Sequence, residues 1–545
     1  MPLRKVSFLL VLVLFAVPPV RGAVCEHDGT GSKPRLVVLL ALDGLRADLL
    51  DRYDAAFTGG FHRLRLEGLR FTNAWVDHAV TVSHAGHVTL ATGDWPSHHG
   101  IVDAGFYVPR GSTRVLVDAV EDTTESIVGV PGSRGYSPRH VLVPGIAEWI
   151  KSADPAARTL AVGTGNISSL LHSFRPGDVY WYRAGRYVTS TYYRNSYPDW
   201  VQRFNESILP PLIAGSRHWN NSIPESFRGL ARPDSAAYEA DGVHVAFPHF
   251  FERDMRDTTR APIARYEASW FSQTPFIDLA TLRLAEEGVK AMRLGRRGTT
   301  DYLSIVLSET DNMSHYYGPM SQEMFDVLVR LDRALGAFME FLDETVGKGE
   351  YVLALSADHG FPEVPEYREQ QGKPGGRIRE EQIEQVMSAV DSLVGKDPST
   401  SPRVAHRVAE FVRTLPFVAQ AYEPSELAGT GSGTDPMLSL FRHSFRTDRI
   451  PRLPFFSLRT FTSSIARAGV MLRLKEGTMI NLDVVIHGSP YDYDRHVPMI
   501  FFGNRVDPGV RTDPVRTIDI APTLATLAGI PVPVPVDGSA VLQPK

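Results

Sequence analysis

Three continuous apolar segments constrain the fold of this chain more than any other feature. Residues 34–43 read PRLVVLLALD, residues 301–307 read DYLSIVL and residues 351–355 read YVLAL. Uninterrupted runs of leucine and β-branched residues are typical of strands buried on both faces, as in a parallel sheet. Segments with helical periodicity lie between them, at residues 275–294 and 324–346. This alternation predicts an α/β fold with a central, mostly parallel sheet and helices on both faces.

Acidic and histidine residues follow the carboxyl end of each of these strands. Asp43 ends the first run, Asp311 and His315 follow the second, and the pair Asp358-His359 follows the third. Open α/β sheets form their sites at this edge. Asp311 and His315 are four residues apart, so they share a face if the backbone is helical there. The alternative for Asp43 alone is that it caps the helix that follows it.

A further histidine, His496, precedes a fourth apolar strand predicted over residues 497–502. With it, the candidate metal ligands are three carboxylates and three imidazoles: Asp43, Asp311, His315, Asp358, His359 and His496. This donor set suits zinc or a similar divalent metal better than calcium or magnesium. Each fragment alone is more often a cap or a surface group. Together, at the ends of buried strands, they predict a metal centre.

The segment 79–100, AVTVSHAGHVTLATGDWPSHHG, supplies a hydroxyl for such a centre. Ser83 precedes a helix predicted over residues 87–92, and the free N–H groups at a helix N-terminus favour an anion. We interpret Ser83 as a nucleophile held against the metal ions. The alternatives are Thr81 as the nucleophile, and a loop serine without a chemical role.

Composition excludes some classes of protein. The chain has 545 residues with 43% hydrophobic and 22% charged residues, which is ordinary for a globular protein with a large core. The net charge of −5 provides no basic surface, so we expect no nucleic-acid partner. We predict one catalytic domain over residues 34–545. Residues 167–266, rich in Trp, Tyr, Arg and Asn, form an irregular cap insertion in this prediction, and residues 361–479 form a second insertion.

Residues 1–22 have the pattern of a secretory signal peptide. Arg4-Lys5 precedes an apolar run over residues 8–20, and small side chains end the segment. The apolar run is too short to favour a membrane-spanning helix. We therefore expect a secreted or periplasmic protein with no membrane span after cleavage. The alternatives are a retained N-terminal anchor and a lipid on Cys25, although the residues before this single cysteine fit a lipidation motif poorly.

The chain resembles the alkaline phosphatase superfamily, and specifically the PafA-type alkaline phosphatases and their nucleotide pyrophosphatase/phosphodiesterase relatives. The resemblance covers nearly everything after residue 22. Its motifs are, in chain order, Leu42-Asp43-Gly44, Ser83-His84-Ala85-Gly86-His87, Thr92-Gly93 with Pro96 and His99-Gly100-Ile101-Val102, Thr189-Ser190-Thr191-Tyr192-Tyr193, Thr310-Asp311 with His315 and Gly318-Pro319, Ala357-Asp358-His359-Gly360, Gly488-Ser489-Pro490-Tyr491 with His496-Val497-Pro498, and Asp519-Ile520-Ala521-Pro522-Thr523.

The resemblance implies a phosphatase or phosphodiesterase with two zinc ions, acting on a small phosphorylated substrate through a phosphoseryl intermediate. The first zinc ion would be held by Asp311, His315 and His496. The second would be held by Asp43, Asp358 and His359, with Ser83 bridging to it as the nucleophile. A sulfatase, which shares the fold, would need a modification motif that Ser83-His84-Ala85-Gly86-His87 lacks.

Three positions depart from the pattern of the family. Ala104 stands where members usually have an asparagine that donates to a phosphoryl oxygen. Gly165 and Ile167 align with a lysine and an arginine that bind the extra charge of a phosphate monoester in the PafA type. We therefore hypothesise reduced monoesterase activity and a relative shift toward diesters. The alternative is a catalytically silent metal-binding relative that binds a phosphorylated or glycan ligand.

Overall fold

A computed structural model describes residues 32–165, 169–174, 177–240, 242–254, 263–395, 401–429, 435–452, 464–480 and 484–544. The predicted signal peptide and Cys25 lie outside this part of the chain. The main sheet is formed by β1 (Leu36–Leu42), β2 (Leu69–Phe71), β3 (Thr159–Gly163), β4 (Asp178–Arg183), β5 (Arg186–Val188), β6 (Asp301–Leu307), β7 (Tyr351–Ser356), β8 (Met499–Gly503) and β9 (Gly509–Arg511).

The strands of this sheet lie in the order β5-β4-β3-β6-β1-β7-β8-β2-β9. The central block β4-β3-β6-β1-β7 is parallel throughout. Antiparallel pairing occurs only toward the two sides, where β5 runs against β4 and β8 runs against both β7 and β2. The predicted mostly parallel α/β sheet is therefore confirmed.

Alternate residues of β1 pack against helices on opposite faces of the sheet, because successive strand side chains point to opposite sides. Leu36, Val38, Leu40 and Leu42 share a buried cluster with residues of the Phe276–Met292 and Gln322–Leu342 helices. The intervening Val37, Leu39 and Ala41 cluster with the Ile146–Ala153 and Ile520–Ala528 helices. Both faces are covered, which explains why the strand is apolar throughout.

The helices of eight or more residues are Gly60–Glu67, Ser83–Thr92, Ile146–Ala153, Ile263–Phe271, Phe276–Met292, Glu309–Tyr317, Gln322–Leu342, Glu380–Val394, Pro402–Arg413 and Ile520–Ala528. The shorter α-helices are Ala47–Arg52, Pro96–His99, Asp199–Arg203, Leu209–Gly215, Phe251–Asp254, Pro365–Gln370, Pro424–Ala428, Leu438–His443, Ser464–Arg467 and Asp492–Arg495. Within the described residues, no helix has both the length and the apolar composition that crossing a membrane requires.

The aromatic stretch Tyr180-Trp181-Tyr182 is part of the main sheet, and its prediction as irregular cap structure is wrong. These residues lie in β4, and the rings of Tyr180 and Trp181 are buried. Tyr180 packs edge-on against Trp200 at a centroid distance of 5.3 Å. Large aromatic side chains suit a buried strand as well as a cap. Composition alone did not distinguish the two environments.

A second, smaller buried core lies beside the sheet. It joins the Glu380–Val394 and Pro402–Arg413 helices to Ala79, Val82 and Tyr107. Tyr107 lies in a three-stranded sheet formed by Gly105–Arg110, Thr113–Asp118 and Ile450–Pro451. This core therefore places residues near 450 against the segment that contains Ser83. We propose that it belongs to an insertion over residues 361–479, and that the cap insertion predicted over residues 167–266 excludes β4 and β5, which belong to the main sheet.

Candidate active site

The acidic residues predicted from the strand ends meet at one edge of the sheet. β1 lies between β6 and β7 and is parallel to both, so their carboxyl ends are adjacent. Asp43 follows β1 directly, and its backbone N–H donates to the Leu307 carbonyl at 2.9 Å. Asp43 does not cap the next helix, because Arg46 occupies the N-cap position of Ala47–Arg52. The Asp43 carboxylate is therefore not used as a helix cap and can take part in the candidate site.

Asp311 and His315 lie on one face of the Glu309–Tyr317 helix, as their spacing predicts. His315 Nε2 is 3.7 Å from Asp311 Oδ2. His359, which follows β7, connects this pair to the other carboxylates. Its Nε2 is 3.9 Å from Asp311 Oδ1, 3.6 Å from Asp43 Oδ1 and 3.4 Å from Asp358 Oδ2. Five of the six predicted ligands therefore form one continuous cluster.

The sixth predicted ligand, His496, does not join this cluster. Its Nε2 lies 3.1 Å from the Thr72 carbonyl oxygen, and its ring stacks on Trp75 with centroids 4.8 Å apart. His487 takes the expected place instead. His487 Nε2 is 3.6 Å from Asp311 Oδ1, and the His487 ring stacks on His359 at 3.7 Å. The structure thus groups His487 with Asp311 and His315, where the sequence predicted His496.

A hydrogen-bonded turn explains why His487 faces the site. Asp494 Oδ2 accepts hydrogen bonds from the backbone N–H groups of Gly488 and Ser489 and from the Ser489 hydroxyl. Gly488 adopts φ of +117°, which turns the chain directly after His487. His487 precedes the Gly488-Ser489-Pro490-Tyr491 motif, so the sequence contained a signal for it. The choice between two histidines nine residues apart depends on this turn, which no periodicity reveals.

Three imidazoles are oriented by hydrogen bonds on the side away from the cluster. Nδ1 of His315 donates to the Val485 carbonyl at 2.8 Å, Nδ1 of His359 to the Gly360 carbonyl at 3.0 Å, and Nδ1 of His487 to the Thr81 carbonyl at 2.8 Å. Since a carbonyl oxygen only accepts, each Nδ1 carries the proton and each Nε2 keeps a lone pair. Metal-binding histidines are typically fixed in this way.

Ser83 lies at the start of the Ser83–Thr92 helix, which begins four residues earlier than predicted. Its hydroxyl donates to His359 Nε2 across 3.2 Å. The helix packs closely on the site because Gly86 has no side chain. A Cβ at this position would lie 2.4 Å from the Asp358 carbonyl oxygen. By contrast, the hydroxyl of the alternative nucleophile Thr81 is buried and donates to the Ser489 carbonyl at 2.9 Å.

A chain of buried side chains supports the carboxylates from behind. Ser304 Oγ lies 2.8 Å from His172 Nδ1, and His172 Nε2 lies 3.2 Å from His87 Nδ1. His87 Nε2 is 3.4 Å from Oδ2 of both Asp43 and Asp358. Carboxylate oxygens accept hydrogen bonds, so the proton of the contact with Asp43 is on His87 Nε2. His87 donates to Asp43 Oδ2 and lies within ion-pair distance of Asp358, a role that its place in the motif did not reveal.

Electrostatics distinguish the histidines from the carboxylates. Burial lowers the pKa of His359 to about 4 and the pKa of His487 well below its usual value, so both rings are neutral at pH 7. Burial and the neighbouring Asp43 carboxylate raise the pKa of Asp358. For Asp43, burial alone would raise the pKa, but the adjacent His87 and His359 rings outweigh it and lower the pKa. The protein therefore concentrates acidic oxygens that a cation would stabilise.

The donor set fits divalent metal ions. Asp43 Oδ1 and Asp358 Oδ2 are buried, and neither has a hydrogen-bond partner among the residues that the structure describes. One ligand atom from each residue lies within 4.8 Å of the others in the groups Asp311-His315-His487 and Asp43-Asp311-His359. Buried carboxylate oxygens without partners are costly unless a cation or a donor meets them. Mixed nitrogen and oxygen donors of this kind suit zinc.

Two of the three departures from the family pattern, Ala104 and Gly165, lie among the described residues. Ala104 is half-buried and directly precedes the Gly105–Arg110 strand. Gly165 follows β3, and no atom lies within 4 Å of the position that a Cβ would take there. Ile167 lies outside the described residues. Ala104 and Gly165 thus present no charged side chain to the site.

Comparison with known proteins identifies the family. Residues 37–416 match the model of the type I phosphodiesterase / nucleotide pyrophosphatase family. The chain belongs to this family. As a member, it is a phosphoric ester hydrolase of the alkaline phosphatase and phosphodiesterase type, with an alkaline phosphatase-like fold.

Relatives of this phosphodiesterase-family chain match it over nearly its whole length. It is 28% identical to alkaline phosphatase PhoV of Synechococcus elongatus, over 92% of each chain. It is 26% identical to alkaline phosphatase PafA of Elizabethkingia meningoseptica, also over 92% of each chain. A crystal structure of a PafA mutant with one Thr→Ser, one Asn→Ala, one Lys→Ala and one Arg→Ala substitution matches with a TM-score of 0.81 and 26% identity, covering 94% of this chain and 98% of that one.

Proposed function

We propose that this phosphodiesterase-family member is a zinc-dependent hydrolase of small phosphoric esters with Ser83 as the nucleophile. The observation that carries the proposal is the position of the Ser83 hydroxyl. Its oxygen lies 3.2 Å from His359 Nε2, at the edge of a cluster of carboxylates and imidazoles. The secreted or periplasmic location proposed from residues 1–22 is compatible with such a substrate.

The cluster supports a two-metal arrangement. Asp311, His315 and His487 would hold one zinc ion, and Asp43, Asp358 and His359 would hold the other together with Ser83. When bound, such a pair of metal ions favours deprotonation of a hydroxyl and stabilises the attacking and leaving oxygens of an in-line displacement. His87 keeps two of the carboxylates in position through its Nε2 contacts.

The residues around Ser83 support a covalent route. Ser83 Oγ would attack phosphorus in line with the leaving alkoxide, forming the Ser83–O–P bond as the P–O bond to the leaving group breaks. Water would then hydrolyse the phosphoseryl group and release Ser83. Nδ1 of His359 donates to the Gly360 carbonyl, so its Nε2 lone pair and the Ser83 oxygen, 3.2 Å apart, face each other and would both be available to one zinc ion.

The missing phosphate contacts bear on substrate charge. Where the resemblance expects asparagine, lysine and arginine, this chain has Ala104, Gly165 and Ile167, and its proposed nucleophile is a serine. The PafA mutant described above carries substitutions of the same residue types, Thr→Ser, Asn→Ala, Lys→Ala and Arg→Ala. Loss of charged donors disfavours a dianionic monoester more than a monoanionic diester. We propose that the enzyme favours diesters relative to its PafA-type relatives.

Paired aryl phosphate monoesters and diesters test this proposal. We expect the zinc-loaded enzyme to hydrolyse both, with the ratio of kcat/KM values shifted toward the diester by at least about 10-fold relative to PafA measured alongside. Ser83→Ala is the control for activity that belongs to this site. A monoester preference equal to that of PafA would contradict the proposed specificity, while Ser83-dependent turnover would still support the proposed chemistry.

A further inference from the structure

Arg452 is a half-buried arginine at the end of the Ile450–Pro451 strand. Its Nε is buried and has no hydrogen-bond partner. Over the described ranges, its guanidinium has neither a hydrogen bond nor an ion pair with another residue. Burying the charged Nε–H without a partner is costly, because this donor loses water without compensation, whereas the Nη1 and Nη2 groups are not fully buried. Arg452 therefore points to an anion that binds from outside the chain.

Neighbouring arginines of the same segment have structural partners. Arg446 Nη1 donates to the Ser97 carbonyl at 2.7 Å, and the same side chain binds Asp448. Arg449 Nη1 donates to the carbonyls of Gly100 and His140 at 2.7 and 2.5 Å. These two residues hold the loop before Ala104 in place. Arg452 differs from both, since no carbonyl or carboxylate of the described chain engages its side chain.

Strand pairing places Arg452 next to Ala104. Ile450 pairs with Tyr107, and Pro451 pairs with Phe106, in antiparallel register. Arg452 continues this register, and its backbone N–H donates to the Gly105 carbonyl at 3.1 Å. Its Cδ lies 3.9 Å from the position that a Cβ on Gly105 would take. Arg452 is therefore paired with the residue that directly follows Ala104.

Residues on both sides of Ala104 share buried clusters with the segment around the helix that begins with Ser83. Before Ala104, Ile101 and Val102 cluster with Val88 of this helix. After Ala104, Tyr107 belongs to the buried cluster that contains Val82 and Ala85. Ala104 and the adjoining Arg452 therefore lie in a part of the chain that packs near this helix.

Charges around His84, the residue after Ser83, agree with this placement. Burial lowers the pKa of His84 to about 4, with further contributions from Asp118, which raises it, and from Arg452, which lowers it. Within the described residues Asp118 forms no ion pair with Arg452, and its Oδ1 accepts from the backbone N–H groups of Val120 and Glu121 at 3.0 and 2.8 Å. The positive charge of Arg452 therefore acts on His84, the residue next to the proposed nucleophile.

We propose that Arg452 is the phosphate-binding side chain of this site, donating to a non-bridging phosphoryl oxygen of the bound ester beside Ala104. This inference rests on the proposed hydrolysis at Ser83. Guanidinium groups bind phosphate through two parallel donors and stay charged at any physiological pH. The resemblance expects an asparagine, a lysine and an arginine to contact the phosphoryl group. Arg452 alone would supply one positive charge, which matches a substrate with one negative charge. This charge agrees with the monoanionic diesters proposed above as substrates.

Direct binding of inorganic phosphate to the zinc-loaded protein tests Arg452 without turnover. By calorimetry, we expect Arg452→Ala to raise the Kd of phosphate by about 10- to 100-fold, as for the loss of a hydrogen bond to a charged group. Arg452→Lys keeps the charge but not the paired donors, so we expect a smaller loss. In kinetics, the same variants should lose kcat/KM on an aryl diester in the same order.

Arg467→Ala is the matched control. Arg467 lies in the same proposed insertion, is half-buried, and has a buried Nε without a hydrogen-bond partner, but it lies near Arg114 at the far end of the hairpin. We expect phosphate affinity and activity to stay as in the wild type. If Arg452→Ala folds, as judged by thermal unfolding, and changes phosphate affinity less than about 2-fold, the inference is wrong. If Ser83→Ala keeps wild-type activity, the proposed function fails instead, whatever Arg452 does.

Discussion

Replacing Ser83 by alanine is expected to reduce the turnover of phosphoric esters by about 10⁴-fold or more while leaving the fold intact. Ser83 lies at the first position of its helix, is only partly buried, and uses its hydroxyl for a single contact, to His359 Nε2. Its loss therefore removes the nucleophile with little cost in packing. Steady-state kinetics with an aryl diester and with an aryl monoester measure the effect.

Thr81→Ala is the control for this experiment. Thr81 lies two residues before Ser83, but its hydroxyl is buried and donates to the Ser489 carbonyl. Removing it costs a buried hydrogen bond, about 1 kcal/mol of stability, and leaves the chemistry in place. A Thr81→Ala variant that loses turnover while Ser83→Ala keeps it would show that Thr81, not Ser83, is the nucleophile.

The second large effect concerns the two histidines of the same loop. We expect His487→Ala to lose one zinc equivalent and to lower kcat/KM by about 10²-fold or more, because an imidazole lone pair is removed from the cluster. We expect His496→Ala to keep both zinc equivalents. It should cost only about 1–2 kcal/mol of stability, since it removes the Thr72 contact and the stacking on Trp75.

Metal analysis after dialysis in a zinc buffer measures this difference. Thermal unfolding of both variants provides the control, because a general loss of structure would lower zinc content in either case. Equal loss of zinc from both variants would contradict the assignment. Loss from His496→Ala alone would restore the ligand set that the sequence motif suggested.

Much of the site could be predicted because it follows from sheet topology. Asp43, Asp311 and Asp358 follow adjacent parallel strands, whose apolar runs were evident in the sequence. Parallel neighbours bring their carboxyl ends to one edge, so the three carboxylates meet once the strands are recognised. The pairing of Asp311 with His315 required only helical spacing.

The remaining features depend on contacts that sequence patterns do not encode. His487 and His496 both precede β8, and the bonds from Gly488 and Ser489 to Asp494 decide which ring turns inward. Tyr180 and Trp181 have the composition of a cap but lie in a buried strand. Arg452 became a candidate only through its pairing with Gly105, since the two residues are distant in sequence.

The stereochemical course at phosphorus tests the central claim most directly. A diester substrate can be made chiral at phosphorus by sulfur substitution together with oxygen isotopes. The configuration of its product shows whether phosphorus is attacked once or twice. Attack by Ser83 followed by hydrolysis of the phosphoseryl group inverts phosphorus at each step, so we predict net retention of configuration. Net inversion would show direct attack by water and would contradict the proposed role of Ser83 as the nucleophile.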